Sequence, residues 1–432
     1  MISDCSRAAD DLPAPSLHTH STQPLVHTPP LPQCEVCVIV PVRNEADMVE
    51  STLTALTHQI DLEGRPLHPA RYEVIVLANN CSDDSAAIAR RFALQHPNLV
   101  LHVVERTLPD SNAYIGWVRK QLMDEAYRRL MLLGHQRGVI ASTDGDTRVA
   151  SNWIAATLHE IDGGADAVGG RIITDRRDRA ALTPYARACH LREVGYRFLV
   201  AELEAYLDPD PFDSLPRHFQ HYGASLAVTA EMYQQAGGLP PVKTSEDVAL
   251  YQALVRVNAR FRHSLLVRVT TSARQTGRAH GGLANQLDTW TTMGQQQQPF
   301  LVEPAAAIAV RLYAHHELKR LWQRSLNGYP LNSKDMGLTA HGLGVDRNWL
   351  IRAMSQSASL GVLFEQIEQQ REEVWQQRWP FVRVEQAIHD LRCLLEPLRL
   401  QSDNASIRTK ALPRLAIASP EMTPPLPSLK SA

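Results

Sequence analysis

Four short apolar runs, separated by amphipathic segments, constrain the fold of this chain more than any single motif. They cover residues 37–40, 74–77, 99–104 and 138–141. A continuous apolar run, as at 37–40, fits a strand covered on both faces. Between the first two, residues 45–59 place Val49, Leu53 and Leu56 on one helical face. Ser82 is positioned to cap the next helix, with Asp83 and Asp84 in its first turn and Ile88, Phe92 and Ala93 turned inward. A third helix is expected over about 113–133. This βαβαβαβ order predicts an α/β fold with a mainly parallel sheet and right-handed crossovers. Ligands of such sheets collect beyond the carboxyl ends of the strands. The loops at 41–45, 79–84 and 144–146 all belong to that edge.

At 432 residues the chain has room for one large domain or two to three smaller ones. Residues 1–33, rich in Pro, Ser, Thr and His, read as a disordered tail, and 401–432 as a second, Pro-rich tail. Residues 34–290 carry the strand and helix alternation, and 291–400 read as a helical extension. The 44 basic and 46 acidic residues leave a net charge of −2, which gives no electrostatic case for nucleic acid as a partner. No apolar run is long enough to span a bilayer, although peripheral membrane contact stays open. The first residues lack the pattern of a secretory signal, and six cysteines do not make a disulfide scaffold in a chain this long. The cytoplasm is the expected compartment. Cys34 and Cys37 have the spacing of half a zinc site, but no second pair completes four ligands. In an extended chain residues three apart point to opposite faces, so a buried free thiol is expected there.

The segment Ser142-Thr143-Asp144-Gly145-Asp146 closes the fourth apolar run. Two carboxylates two residues apart at a strand end can share a divalent cation, Mn²⁺ or Mg²⁺, with substrate phosphates. Other phosphate-binding signatures are missing. There is no Gly-x-Gly-x-x-Gly after a strand, no Gly-x-x-x-x-Gly-Lys and no Gly-x-Ser-x-Gly.

Four motifs in order then resemble the family 2 glycosyltransferases, enzymes of the GT-A fold. They are residues 38–45 (Val-Ile-Val-Pro-Val-Arg-Asn-Glu), 77–84 (Leu-Ala-Asn-Asn-Cys-Ser-Asp-Asp), Thr143-Asp144-Gly145-Asp146 and Ser245-Glu246-Asp247. The resemblance covers roughly 34–282 and implies a nucleotide-binding half at 34–150 and an acceptor half at 151–290. It implies that Pro41, Arg43 and Glu45 hold the nucleoside of a sugar nucleotide. Asn79 and Asn80 stand where many relatives have two Asp, and Asn both donates and accepts, which leaves UDP- and GDP-sugars open as donors. Asp144 resembles the residue that meets ribose or the metal, and Asp146 the direct metal ligand. Asp247 resembles the general base of an inverting transfer to an acceptor hydroxyl, supported by Glu246. In the stretch 271–282, Arg274 and Arg278 are placed to clamp phosphate and His280 to complete the metal shell. Arg119 and Lys120, on the third helix, are placed to face the diphosphate. The alternatives are a nucleotidyltransferase, though its Gly-rich first loop is absent, and a non-catalytic nucleotide-sugar-binding protein.

Overall fold

The computed structural model describes residues 23–275, 277 and 282–405. The expected alternation is realised as β1 (Val36–Val42), α1 (Val49–Thr57), β2 (Tyr72–Asn79), α2 (Ser85–Gln95), β3 (Leu101–Arg106), α3 (Ile115–Leu132) and β4 (Val139–Ser142). β1 pairs in parallel with both β2 and β4, and β2 with β3. Then come β5 (Thr147–Val149), α4 (Trp153–Asp162), β6 (Ala167–Thr174), α5 (Arg176–Ala181) and α6 (Pro184–Leu207). They are followed by β7 (Leu226–Thr229), α7 (Ala230–Gln235), α8 (Glu246–Arg256) and β8 (Phe261–Thr271). Among the described residues these strands form one eight-stranded sheet, ordered β3-β2-β1-β4-β7-β6-β8-β5. β7 runs antiparallel to both β4 and β6, and β5 to β8, so the sheet is parallel in its first half and mixed in its second. Continuous apolar runs do not encode strand direction, because a strand covered on both faces reads the same either way.

The period of two along β1 splits its side chains between two cores. Val36, Val38 and Val40 pack under α1, α2 and α4. Cys37 and Ile39 pack under α3, α7 and α8. Full burial of each such side chain stabilises the fold by about 1.5–3 kcal/mol.

Several boundaries differ from the expectation. α1 starts at Val49 because the amides of Met48 and Val49 both turn back onto the Glu45 carbonyl. Ser82 does not cap α2. Asp84 holds that place, and the Asp83 carboxylate accepts from the Ser85 amide at 3.1 Å and the Ser85 hydroxyl at 2.5 Å. Part of the expected N-terminal tail is ordered. Val26 is buried, the amides of Leu25 and Val26 donate to Glu125, and Arg129 donates to the Thr28 carbonyl. Pro-rich composition hid this anchor, because its partners lie on α3. Residues 1–22 and 406–432 lie outside the described part.

The remaining chain adds α9 (Leu283–Gln295), β9 (Leu301–Val302), α10 (Ala305–Leu326), α11 (Ser333–Leu343) and α12 (Arg347–Gln356). It ends with α13 (Leu360–Arg378), β10 (Val382–Arg383) and α14 (Val384–Ala405). β9 and β10 form a two-stranded antiparallel pair that helical periodicity does not reveal. Residues of α6, α10 and α14 share one hydrophobic core. α13 docks on α8 through the Arg256–Glu365 pair, at 2.6 Å, and Gly361, where a Cβ would lie 2.2 Å from the Val255 carbonyl. No helix of the described residues is long and apolar enough to cross a membrane.

Cys34 and Cys37 do not point apart as an extended chain would require. Cys34 sits in a turn before β1, its amide bonded to the Leu31 carbonyl. Both sulfurs and a Glu73 oxygen lie within 4.8 Å of one another, which among the described residues is the only such grouping of three metal-type ligands. The Cys37 thiol donates to Glu73 Oε1 at 2.8 Å, and Arg129 meets the same carboxylate through two bonds of 2.7 and 2.5 Å. Glu73 is therefore already neutralised by Arg129, at the amino edge of the sheet and away from the motif loops.

Burial alone would raise the Glu73 pKa, but the bonds from Arg129, His102 and Cys37 outweigh it and hold it at about 2, against an ordinary 4.5. A depressed carboxylate contributes stability that is fully present above its unfolded pKa and lost as pH falls through its folded one. The Glu73 contribution is therefore complete above about pH 4.5 and lost as pH falls through about 2. Glu73→Gln strands the buried Arg129 charge and is expected to cost about 3–5 kcal/mol at neutral pH. Urea unfolding at neutral and acid pH measures this, and the gap between variant and parent narrows toward low pH.

Candidate active site

The site is built on the carboxyl edge of β1, β2 and β4. Asn44 adopts a left-handed conformation (φ 56°), which Asn tolerates better than most residues. It ties the first loop to the second, since its Oδ1 accepts from the Ser82 amide at 2.7 Å. The Glu45 amide donates to Ser85 Oγ at 2.7 Å, and the Ala46 amide to Asp83 Oδ2 at 3.0 Å. Asn80 is also left-handed (φ 49°), and its amide group is spent on both backbone groups of Leu108, at 2.9 and 3.0 Å. Asn79 is buried at the end of β2, and Pro41 lies within β1. Arg43 is exposed, with Nη1 donating to the Ala113 carbonyl at 3.1 Å.

The Asp144-Gly145-Asp146 turn lies against the first loop. A Cβ at Gly145 would come within 3.1–3.2 Å of Val42, Glu45 and Pro41, so a side chain there would press on the first loop. Asp144 Oδ1 accepts from Arg119 at 2.8 Å, and Asp146 Oδ2 lies 3.0 Å from Arg274. Burial, with further repulsion from the Asp144 and Glu45 carboxylates, pushes the Asp146 pKa up to about 6, and Arg274 only partly offsets them.

Arg119 does not face outward toward a diphosphate. It is 3% exposed and fills the space between the two halves of the site. Nε donates to Glu246 at 3.0 Å, Nη2 to Asp144, and Nη1 to Ser142 Oγ at 2.5 Å and the Gly223 carbonyl at 3.3 Å. Lys120 pairs instead with Asp124 on its own helix. The Gly223 amide in turn donates to Asp247 Oδ2 at 2.9 Å, while Asp247 Oδ1 accepts from the Val248 amide at 2.8 Å. Glu246 and Asp247 open α8, where the helix dipole favours acids. Glu246 is buried and Asp247 half-buried, and loss of solvation pushes both carboxyl groups above their ordinary pKa despite Arg119.

Arg274 follows β8 and reaches back across the edge. It pairs with Glu45 through bonds of 2.7 and 2.5 Å in addition to its Asp146 contact. Its backbone neighbourhood is fixed by Asp178, which accepts from Ser272 Oγ at 2.9 Å and the Ala273 amide at 3.1 Å. Arg278 and His280 lie outside the described residues. Sequence reading missed Ser142, Gly223 and Asp178. A small residue ahead of a strand, as at Gly223, carries no signal of which side chain will press against it.

Residues 37–214 match the family model described as glycosyl transferase family 2. This stretch is similar to the family 2 glycosyltransferases. With the strand order above, the family gives the GT-A fold. Over 139 residues the chain is 29% identical to glycosyltransferase AglE of Haloferax volcanii, a match spanning 32% of this chain and 39% of AglE. Among solved structures it is similar to the mannosyltransferase PcManGT of Pyrobaculum calidifontis, in complex with GDP-Man and Mn²⁺. That match has 18% identity, covers 88% of this chain and 86% of that one, and has a TM-score of 0.39. It is also similar to S. aureus TarS in complex with UDP-GlcNAc, with 15% identity, 86% and 89% coverage and a TM-score of 0.42.

Asp144, within the matched stretch, and Glu246, beyond it, meet around Arg119. A Cβ on Gly223 would lie 2.6 Å from the Arg119 guanidinium carbon, too close to be accommodated in place. Gly223→Ala is therefore expected to displace the Arg119 and Asp247 contacts together. A shift of about 1 Å in a catalytic constellation costs on the order of 100-fold in rate, so under the function proposed below transfer should drop by about that factor. Steady-state assays beside a melting curve check this. Parental turnover in the variant would detach Gly223 from the site.

Proposed function

We propose that this protein transfers a sugar from a nucleoside diphosphate sugar to an acceptor hydroxyl, with inversion at the anomeric carbon. The observation that carries the reading is the Arg119 bridge. One guanidinium contacts both Asp144 and Glu246, so the donor-side and base-side motifs lie side by side. In this reading Pro41, Arg43, Glu45 and Asn79 line the nucleoside position, and the Asn80 amide, engaged by Leu108, shapes the loop instead.

The carboxylates of Asp144 and Asp146 suit a hard divalent cation, Mn²⁺ or Mg²⁺. Two features support this fit. Burial, with added repulsion from Asp144 and Glu45, raises Asp146, and a cationic group, Arg274, is already drawn among these acids. When bound, such a cation supplies Lewis-acid neutralisation of the departing diphosphate.

Asp247 has the capacity for a base. Its two oxygens hold one backbone amide each, and an ionised carboxylate offers about four acceptor positions. The acceptor hydroxyl gives its proton to Asp247 as its oxygen bonds to the anomeric carbon. The bond from that carbon to the diphosphate breaks, and its electron pair leaves with the nucleotide. We keep the cytoplasm as the compartment of this reaction, supported by the free thiols of the five described cysteines.

A donor-hydrolysis and transfer assay over UDP- and GDP-sugars, with Mn²⁺ or Mg²⁺, tests the proposal. Asp146→Ala should lose metal-dependent turnover, and full activity there refutes the metal assignment. Asp247→Asn should lose transfer while its thermal shift with donor persists. Equal loss of donor binding would make Asp247 a binding group. Because burial raises the Asp247 pKa, the carboxylate form needed for proton abstraction disappears at a higher pH than for a free Asp. The rate of the parent should therefore rise with pH along an acid limb lying above the ordinary value of 3.8.

A further inference from the structure

We propose that Arg274 is an exchangeable internal cation, which holds Glu45 and Asp146 in the free protein and is drawn away by the donor diphosphate, so that metal and donor bind cooperatively. This rests on the donor and metal reading above. Its own evidence is the placement of Arg274.

The Arg274 guanidinium makes a two-bond pair with Glu45 and touches Asp146 at 3.0 Å, the carboxylate to which the family pattern assigns the cation. It occupies the electrostatic position of a metal ion. A cation at Asp146 would stand beside a guanidinium that already holds Asp146 Oδ2. Two unit charges about 4 Å apart repel by about 4 kcal/mol near a protein surface, and a divalent ion by more. Divalent metal therefore has to displace Arg274 from Asp146.

The displacement is uphill while the guanidinium has no other acidic partner. Its side chain is 27% exposed, against 7% for Glu45 and 15% for Asp146, so it is the partner with room to move. The Glu45 amide is held by Ser85, and Gly145 packs against the Glu45 side chain, so the carboxylates stay where they are. A diphosphate offers oxygens that match the guanidinium fork at least as well as a carboxylate does. Donor binding then gives Arg274 a new partner and frees Asp146. By linkage, whatever factor the nucleotide adds to metal affinity, the metal adds to nucleotide affinity. Such couplings typically reach about 5–150-fold.

Mn²⁺ binding by the full chain, read from loss of the free-ion paramagnetic resonance signal, tests this without turnover. Parent, Arg274→Gln and Arg274→Lys are each titrated with Mn²⁺ alone and with UDP or GDP present, after melting curves confirm that each is folded. Arg274→Gln should bind Mn²⁺ alone about tenfold more tightly than the parent, and its gain from nucleotide should shrink by about the same factor. Arg274→Lys keeps a charge without the fork, so it should fall between them. Equal Mn²⁺ affinity in parent and Arg274→Gln overturns the exchange while leaving the metal site in place. If no form binds Mn²⁺ even with nucleotide, the metal reading of the function falls and the exchange falls with it.

Discussion

A single arginine in the middle of the sheet edge holds the two halves of the active site together. Arg119 is buried, and its guanidinium donates to four acceptors on three stretches of the chain. A buried charge left without partners is severely unfavourable, so the three stretches that answer it are held in one arrangement. Asp144 comes from the end of β4, Glu246 from the start of α8, Ser142 from β4 and Gly223 from the turn before β7. β4 is the element that follows α3, which supplies the arginine, whereas Gly223 and Glu246 lie 104 and 127 residues from Arg119. The position of Asp247 follows from this, because the same glycine that offers its carbonyl to Arg119 offers its amide to Asp247.

The sheet explains why such a centre forms at this edge. Parallel strands β1, β2 and β4 end together, so their loops must share one rim. The antiparallel entry of β7 beside β4 brings the Gly223 turn to that same rim, because β7 starts where β4 finishes: Ser142 pairs with Leu226. A wholly parallel sheet would put the start of that strand at the opposite edge. The mixed direction of the second half is thus a requirement of the site.

The first half of the fold was legible because its signals are local. Apolar runs of four to six residues and helical spacing fixed the strands and helices to within a few positions, and the acidic motifs marked the rim. What stayed hidden depends on contacts distant in sequence. The charge on Arg119 suggested an outward, phosphate-facing role, yet three acceptors from 23 to 127 residues away draw it inward. Cys34 and Cys37 looked like residues on opposite faces, because the turn that reorients Cys34 precedes the strand and leaves no periodic trace. The anchor at Leu25 and Val26 was masked by its Pro-rich surroundings, since Glu125 and Arg129 become its partners only after α3 folds against the sheet.

The two arginines of the site differ in the one property that decides what each can do. Arg119 is sealed, and its four acceptors are spread over three stretches of the chain, so releasing any one of them leaves the others to hold it. Arg274 is partly exposed, and its acceptors are carboxylates on the neighbouring first and third loops. A sealed ion pair gains strength from low dielectric and has no competitor, whereas a partly exposed one is open to any anion that can approach. A rigid base position and an adaptable donor position are both needed when a bond must form in line while a charged group departs. The same guanidinium chemistry meets both needs here, and burial alone separates the fixed role from the exchangeable one.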